Sequence, residues 1–93
     1  MITAIVFVQA ETARIPEVAA AIAALEGVSE VYSVTGQIDL IALVRVREHD
    51  DVASVVADRL NKVDGVVDTE THIAYRAYSR HDLEAAFSLG LDD

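Results

Sequence analysis

The stretch Tyr32-Ser-Val-Thr-Gly-Gln-Ile-Asp-Leu40, continued by Ile41-Ala-Leu-Val-Arg-Val46, decides the fold. Two apolar, β-branched runs meet at Gly36-Gln37, the pattern of a β-hairpin. Glycine supplies the positive φ that a tight reversal often needs. Asp39, just inside the second run, is expected to set a carboxylate beside backbone amides freed by the turn. A small polar molecule can be held at such a place.

Working outward, Ile2 to Gln9 reads as a strand with apolar residues on both faces, Ala4, Val6 and Val8 on one and Ile5 and Phe7 on the other. That is the pattern of a central strand covered on both sides. Pro16 to Glu26 reads as a helix, with Pro16 suited to its first turn, Gly27 to the position after its end, and Ile15, Val18, Ile22 and Leu25 on one face. Val28 to Thr35 is the second strand, and its interspersed Ser29, Glu30 and Ser33 place it at a sheet edge.

On the other side of the turn, Ile38 to Arg47 is again apolar on both faces, Leu40, Ala42, Val44 and Val46 opposite Ile41 and Leu43. It is the second central strand. Asp50 or Asp51 is expected to cap a helix running to about Lys62, with Val52, Val55, Val56 and Leu60 as its buried stripe, ended by Asp64-Gly65. Val66 to Tyr75 is the fourth strand, Asp68, Glu70 and His72 alternating against Val67, Thr69, Thr71 and Ile73, which suits the other edge. Ser79 to Leu91 opens with a capping-box pattern, Ser79 to Asp82, and carries Leu83, Ala86 and Phe87 as a short apolar stripe, so a C-terminal helix is predicted. It packs either on its own core or on a neighbouring subunit.

The element order is βαββαβ, and the junction Leu25-Glu-Gly-Val28 recurs as Val63-Asp-Gly-Val66. Two βαβ halves joined by a hairpin, each crossing over right-handed, give an α+β, ferredoxin-like fold: a four-stranded antiparallel sheet with two helices on one face. Strands one and three are central, two and four outside. Nothing in the two halves covers the second sheet face, so this face or its rim is expected to be a homodimer contact, giving an α/β sandwich of two chains. With 93 residues there is room for one domain, and 53% hydrophobic residues exceed what a small sphere hides, which also favours self-association.

The charge balance narrows the function. Sixteen acidic against seven basic residues give a net charge of −9, and the basic residues are scattered along the sequence, so direct nucleic-acid binding is not expected. The absence of cysteine excludes disulfides, cysteine-based zinc sites and thiol nucleophiles, and fits a reducing cytoplasm. Met1 leads directly into Ile2-Thr-Ala-Ile-Val-Phe-Val8 without a basic region or cleavage site, so no signal peptide is expected, and Val18 to Leu25 is too short to span a bilayer. His49, His72 and His81 show no metal-ligand spacing. No nucleophile is paired with a base, and there is no phosphate loop or dinucleotide fingerprint, so neither a catalytic residue nor a cofactor is predicted.

The run Val31-Tyr-Ser-Val-Thr-Gly-Gln-Ile-Asp-Leu40, together with Gly65-Val-Val-Asp-Thr-Glu-Thr71, resembles the effector-binding domain of the Lrp/AsnC, or feast/famine, transcription regulators, also called the regulation of amino acid metabolism module. The resemblance covers residues 2 to about 78. It implies a division into residues 1–78 as the ligand-binding module and residues 79–93 as the C-terminal helix and tail of the same domain. The family's regulators carry an N-terminal helix-turn-helix domain, whereas this sequence opens on the first strand and so resembles the stand-alone module.

The resemblance implies dimers that pair through their sheets and assemble into octameric or decameric rings, with an amino-acid-like effector between dimers. It also implies ligand-binding residues: Thr35, Gly36 and Asp39 at the turn, with Thr69 and Thr71 on the fourth strand as neighbours. Backbone amides at a glycine turn can hold a carboxylate, Asp39 can pair with an ammonium group, and threonine hydroxyls can complete the hydrogen bonds. The function implied is a non-enzymatic oligomeric effector sensor, or a modulator of full-length Lrp/AsnC regulators by co-assembly.

Plainer readings stand beside these. Gly36 with Asp39 is also ordinary turn chemistry, Thr69-Glu-Thr71 an ordinary edge strand, and Tyr32, Tyr75 and Tyr78 interface packing. The alternative function is a small dimeric α+β barrel enzyme such as a cofactorless monooxygenase. Such enzymes place polar and aromatic side chains between helices and sheet, whereas the inner positions here, Val6, Val8, Ile22, Leu25, Val44, Val55 and Leu60, are aliphatic.

Overall fold

A computed structural model describes residues 1–80. The order is β1 (Ile2–Ala10), a 3-10 turn (Thr12–Arg14), α1 (Ile15–Ala23), β2 (Val28–Ser33), β3 (Leu40–Val46), α2 (His49–Val56), a second 3-10 turn (Leu60–Lys62) and β4 (Val66–Ile73). The four strands form one antiparallel sheet in the order β2-β3-β1-β4. The two central strands are those whose sequences are apolar on both faces, as expected of a ferredoxin-like fold. Most of the helix predicted over Ser79–Leu91, and the tail after it, lies outside the described residues.

Strand alternation fixes the core. Ala4, Val6, Val8 and Ala10 of β1 and Leu40, Ala42, Val44 and Val46 of β3 are buried against Val18 and Ile22 of α1 and Val52, Val55 and Val56 of α2, with Leu60 closing one side. Nine of these side chains, the largest being Ile22, Leu40 and Leu60, have essentially no exposed surface, and among the described residues no polar side chain is buried with them. Fully burying an aliphatic chain of this size contributes about 1.5–3 kcal/mol, so this layer is the main source of stability. Of the inner positions expected to be aliphatic and enclosed, Leu25 alone is only half-buried, packed against the rim of the core.

Both helices are shorter than their periodicity suggests. The first ends at Ala23 rather than Glu26: Ala24 N–H still donates to the Ala20 carbonyl, but Leu25 N–H turns to Ile22 three residues back, and Gly27 completes the exit at φ +94°. The second ends at Val56 rather than near Lys62, because the Ala53 carbonyl accepts from both Ala57 and Asp58 N–H and the regular ladder stops there. The cap of α2 is Glu48, not Asp50 or Asp51. Asp51 serves from inside the helix, its Oδ2 accepting from Glu48 N–H at 3.2 Å as one arm of a capping box.

The recurrent helix-to-strand junctions explain why glycine stands in each. Gly27 and Gly65 have φ of +94° and +98°. A Cβ on Gly27 would lie 2.6 Å from Val55 Cγ2 of α2, and one on Gly65 would lie 2.6 Å from Val18 Cγ2 of α1. Each half of the chain therefore sets its junction against the helix of the other half. Among the described residues no helix is long and apolar enough to cross a membrane.

Candidate functional site

The β2–β3 reversal is closed by Val34 N–H donating to the Asp39 carbonyl at 3.0 Å, and Gly36, at φ +108°, has open space where a Cβ would stand. Its glycine is required by backbone conformation alone. Asp39 then does two jobs at the end of β3. Its N–H donates to the Val8 carbonyl at 3.0 Å, and its Oδ2 accepts from Ala10 N–H at 2.9 Å. The β1–β3 pairing stops at Val8 and Leu40, so Ala10 N–H has no β3 carbonyl to meet, and the side chain of Asp39 stands in for the missing ladder acceptor. The carboxylate thus serves an amide of the adjoining strand rather than the amides of its own turn, which is where the sequence pattern placed it.

Register brings β4 to the same end of the sheet. Val8 faces Leu40 on one side and Thr69 on the other, and Phe7 lies between Ile41 and Glu70. Residues paired across antiparallel strands share a face, so Asp68, Glu70 and His72 lie with Gln9, Phe7 and Ile5 on the sheet face without helices, and Thr69 and Thr71 lie on the helix side. Thr69 Oγ1 donates to Asn61 Oδ1 at 2.6 Å, and its N–H is taken by Asp68 Oδ1 at 2.9 Å.

A shallow groove of about 190 Å³ joins these parts, lined by Phe7, Gln9, Ile38, Asp68, Thr69 and Glu70. Of the five residues expected at the site, Thr69 lines the groove, Asp39 adjoins it through Ile38, and Thr35, Gly36 and Thr71 are exposed outside its lining. Gln9, Asp68 and Glu70 were not expected there. The alternation of charge along β4 was visible, but not the register that sets Asp68 opposite Gln9.

The groove is acidic. Glu70 Oε2 lies 3.2 Å from His72 Nε2, and the His72 ring meets Phe7 edge-on, with centroids 5.2 Å apart and planes at 70°. Two carboxylates beside a polar amide suit an ammonium or other cationic head group rather than a phosphate. No group of three or more metal-ligating side chains gathers among the described residues.

Beyond the groove, the uncovered face carries Ile5, Phe7, Ile41 and Leu43, all half-buried, with Tyr32 paired to Ile41 and 48% exposed. The Tyr32 hydroxyl donates to Glu30 Oε2. That bond, followed by the negative charge of Glu30, raises the Tyr32 pKa, and Arg45 opposes the shift.

Comparison with known proteins agrees with this architecture. The uncharacterized HTH-type transcriptional regulator YugG of Bacillus subtilis is 39% identical over 77 residues, covering 83% of this chain and 45% of that protein. The chain spans about half the length of the curated relatives it matches, 49% for a regulator of Pyrococcus furiosus that is 38% identical. Among solved structures, the Thermus thermophilus protein TTHA0845 is 45% identical and superposes with a TM-score of 0.80, over 86% of this chain and all of that one. A Neisseria meningitidis transcriptional regulator solved with L-methionine shares the fold at 20% identity and a TM-score of 0.75, over 85% of this chain and 53% of its own. The family described as the Lrp/AsnC ligand binding domain matches residues 3–83, nearly the whole chain. This chain therefore belongs to the Lrp/AsnC ligand binding domain family.

Proposed function

We propose that this chain is a non-enzymatic effector-binding module that self-associates and holds a small amino-acid-like ligand where the β2–β3 reversal meets β4. The observation that carries the proposal is the groove itself: it unites Ile38 of the reversal with Gln9 of β1 and with Asp68 and Glu70 of β4. Its carboxylates can receive an ammonium group, and the turn amides near Gly36 can receive a carboxylate. At about 190 Å³ it is below the usual size of a small-molecule site, so a second copy of the chain is expected to complete it. The L-methionine complex of the Neisseria regulator supports an amino acid as the ligand class.

Self-association is assigned to the uncovered sheet face, where Ile5, Phe7, Ile41 and Leu43 form an apolar centre flanked by Tyr32 on one edge strand and His72 on the other. Pairing of two such faces gives the dimer, and contacts between dimers build the octameric or decameric ring. Co-assembly with full-length Lrp/AsnC regulators of the same cell follows from the same surfaces. The aliphatic filling between helices and sheet supports binding over catalysis, since His72 and the tyrosines stand outside that layer.

Native mass spectrometry with and without a panel of amino acids tests the reading. A dimer or larger even-numbered assembly that retains one amino acid per subunit is expected. A monomer that retains none overturns it.

A further inference from the structure

The lining of the groove, Phe7, Gln9, Ile38, Asp68, Thr69 and Glu70, offers carboxylates to an ammonium group but contains no basic side chain. An amino acid also brings a carboxylate. The turn amides near Gly36 can give that group hydrogen bonds, but no positive charge. The missing cation has to come from outside the groove, and the layout of the helix-free face indicates its source.

Strand register arranges that face in rows. Glu70, Phe7, Ile41 and Tyr32 form one row, and His72, Ile5, Leu43 and Glu30 the next. Outside the first row, at the reversal end, stand Asp68 and Gln9; outside the second, at the far end, stand Thr3 and Arg45. The face is therefore polarised along its strands. Asp68 and Glu70 lie towards one end with Asp39 beside them, and Arg45 lies at the other, where the nearby Glu30 is engaged by the hydroxyl of its own Tyr32. Arg45 is exposed, donates to the Ser29 hydroxyl at 3.3 Å and, among the described residues, is in no ion pair.

Two copies with aligned strands can pair this face about a two-fold axis in two ways. An axis along the strands sets each row on itself, acidic end over acidic end. An axis across the strands, between the two apolar rows, sets the acidic end of each copy under the Arg45 end of the other. His72 then stands over Glu70, Thr3 over Gln9, and Arg45 over the start of β3 at Asp39, beside Ile38. Apolar centre still meets apolar centre, and opposite charges face each other, so electrostatic complementarity selects this axis.

We propose that in this pairing each groove is completed by Arg45 of the second copy, which holds the carboxylate of the amino-acid effector. The planar guanidinium fork suits a carboxylate, to which it can give two parallel hydrogen bonds. The effector's ammonium group stays with Asp68 and Glu70. This assignment rests on the groove being an amino-acid site, and adds to it the orientation of the dimer and the residue that each copy lends to the other.

Cross-linking tests the orientation, and the chain has no cysteine of its own. Thr3 and Gln9 lie on one strand about 20 Å apart, too far to be bridged within a single copy. With a short bis-maleimide, Thr3→Cys combined with Gln9→Cys should give covalent dimers, and neither substitution alone should do so. Self-linking of either single variant is the mark of the axis along the strands. That result, or a double variant that stays unlinked, overturns the proposal.

Native mass spectrometry with a panel of amino acids tests the contribution of Arg45. Arg45→Ala should lower retention about tenfold or more, the loss of a charge-assisted hydrogen bond, and Arg45→Lys should fall between it and the parent. Mixing Arg45→Ala with Glu70→Gln should restore one amino acid per mixed dimer, because one of its two grooves then has both Glu70 and Arg45. Retention by Arg45→Ala equal to that of the parent, or mixed dimers that retain nothing, overturns this inference and leaves the amino-acid site standing. A parent that retains no amino acid overturns that site, and this inference with it.

Discussion

The side chain of Asp39 accepts a hydrogen bond from Ala10 N–H at 2.9 Å, continuing the β1–β3 ladder one step beyond its last backbone pair. The residue therefore has a structural task independent of any ligand. Asp39→Ala leaves the Ala10 amide without its acceptor and should cost about 1–3 kcal/mol in urea unfolding. Asp39→Asn retains a carbonyl oxygen in the same place and should lose much less. If the carboxylate also meets the ammonium group of an effector, Asp39→Asn should lose ligand while keeping its stability. An asparagine variant that binds amino acids as the parent does would remove Asp39 from the site.

The three glycines with positive φ should respond differently to alanine. At Gly65 the added Cβ meets Val18 Cγ2 at 2.6 Å, and at Gly27 it meets Val55 Cγ2 at the same distance, in addition to the strained φ. At Gly36 there is only φ. Gly36→Ala should cost about 1–2 kcal/mol, and the other two substitutions more, by roughly the 1–3 kcal/mol of an overpacked contact. Unfolding midpoints ordered with Gly36→Ala as the most harmful would contradict the cross-packing of the two halves. Adding Val18→Ala to Gly65→Ala should restore part of the loss, a favourable coupling measured by a double-mutant cycle.

The uncovered sheet face makes a separate prediction. Ile41 stands between Phe7 and Tyr32 across the strands, at the centre of the proposed dimer contact, and it is only half-buried in a single protomer. Ile41→Asp should therefore fold, with an unchanged far-ultraviolet circular dichroism spectrum, but sediment as a monomer where the parent is a dimer. A charge buried without a partner in such a contact is strongly destabilising. Identical sedimentation of parent and variant would move the interface elsewhere.

The fold was legible in the sequence where chemistry and period coincide. Ala4, Val6 and Val8 opposite Ile5 and Phe7, and the matching pattern on β3, named the central strands and the face each residue takes. Helix ends were not legible: Ala57-Asp-Arg59, where α2 stops, contains neither proline nor glycine, and the break lies in two amides sharing the Ala53 carbonyl. The turn residues Gly36 and Asp39 could be singled out from their local pattern. Gln9 and Asp68 could not, because their proximity depends on the pairing of strands distant in sequence.

The pair Tyr32 and Glu30 gives a pH-dependent prediction. The hydroxyl donates to the carboxylate, and both that bond and the carboxylate's charge favour the protonated phenol, so the folded-state pKa lies above the ordinary value. A group whose pKa is raised on folding contributes its stabilisation fully below the unfolded pKa, about 10 for tyrosine, and loses it as pH rises through the folded value. The difference in phenolate absorbance between the parent and Tyr32→Phe, followed through an alkaline titration, isolates this ring from Tyr75 and Tyr78. Its midpoint should lie above that of free tyrosine and fall in Glu30→Gln, which removes the negative charge while leaving an acceptor. Because the carboxylate provides the leading contributions and Arg45 opposes them, Arg45→Ala should move the midpoint upward instead. Movement in the same direction for both variants would show that Glu30 does not set the titration of Tyr32.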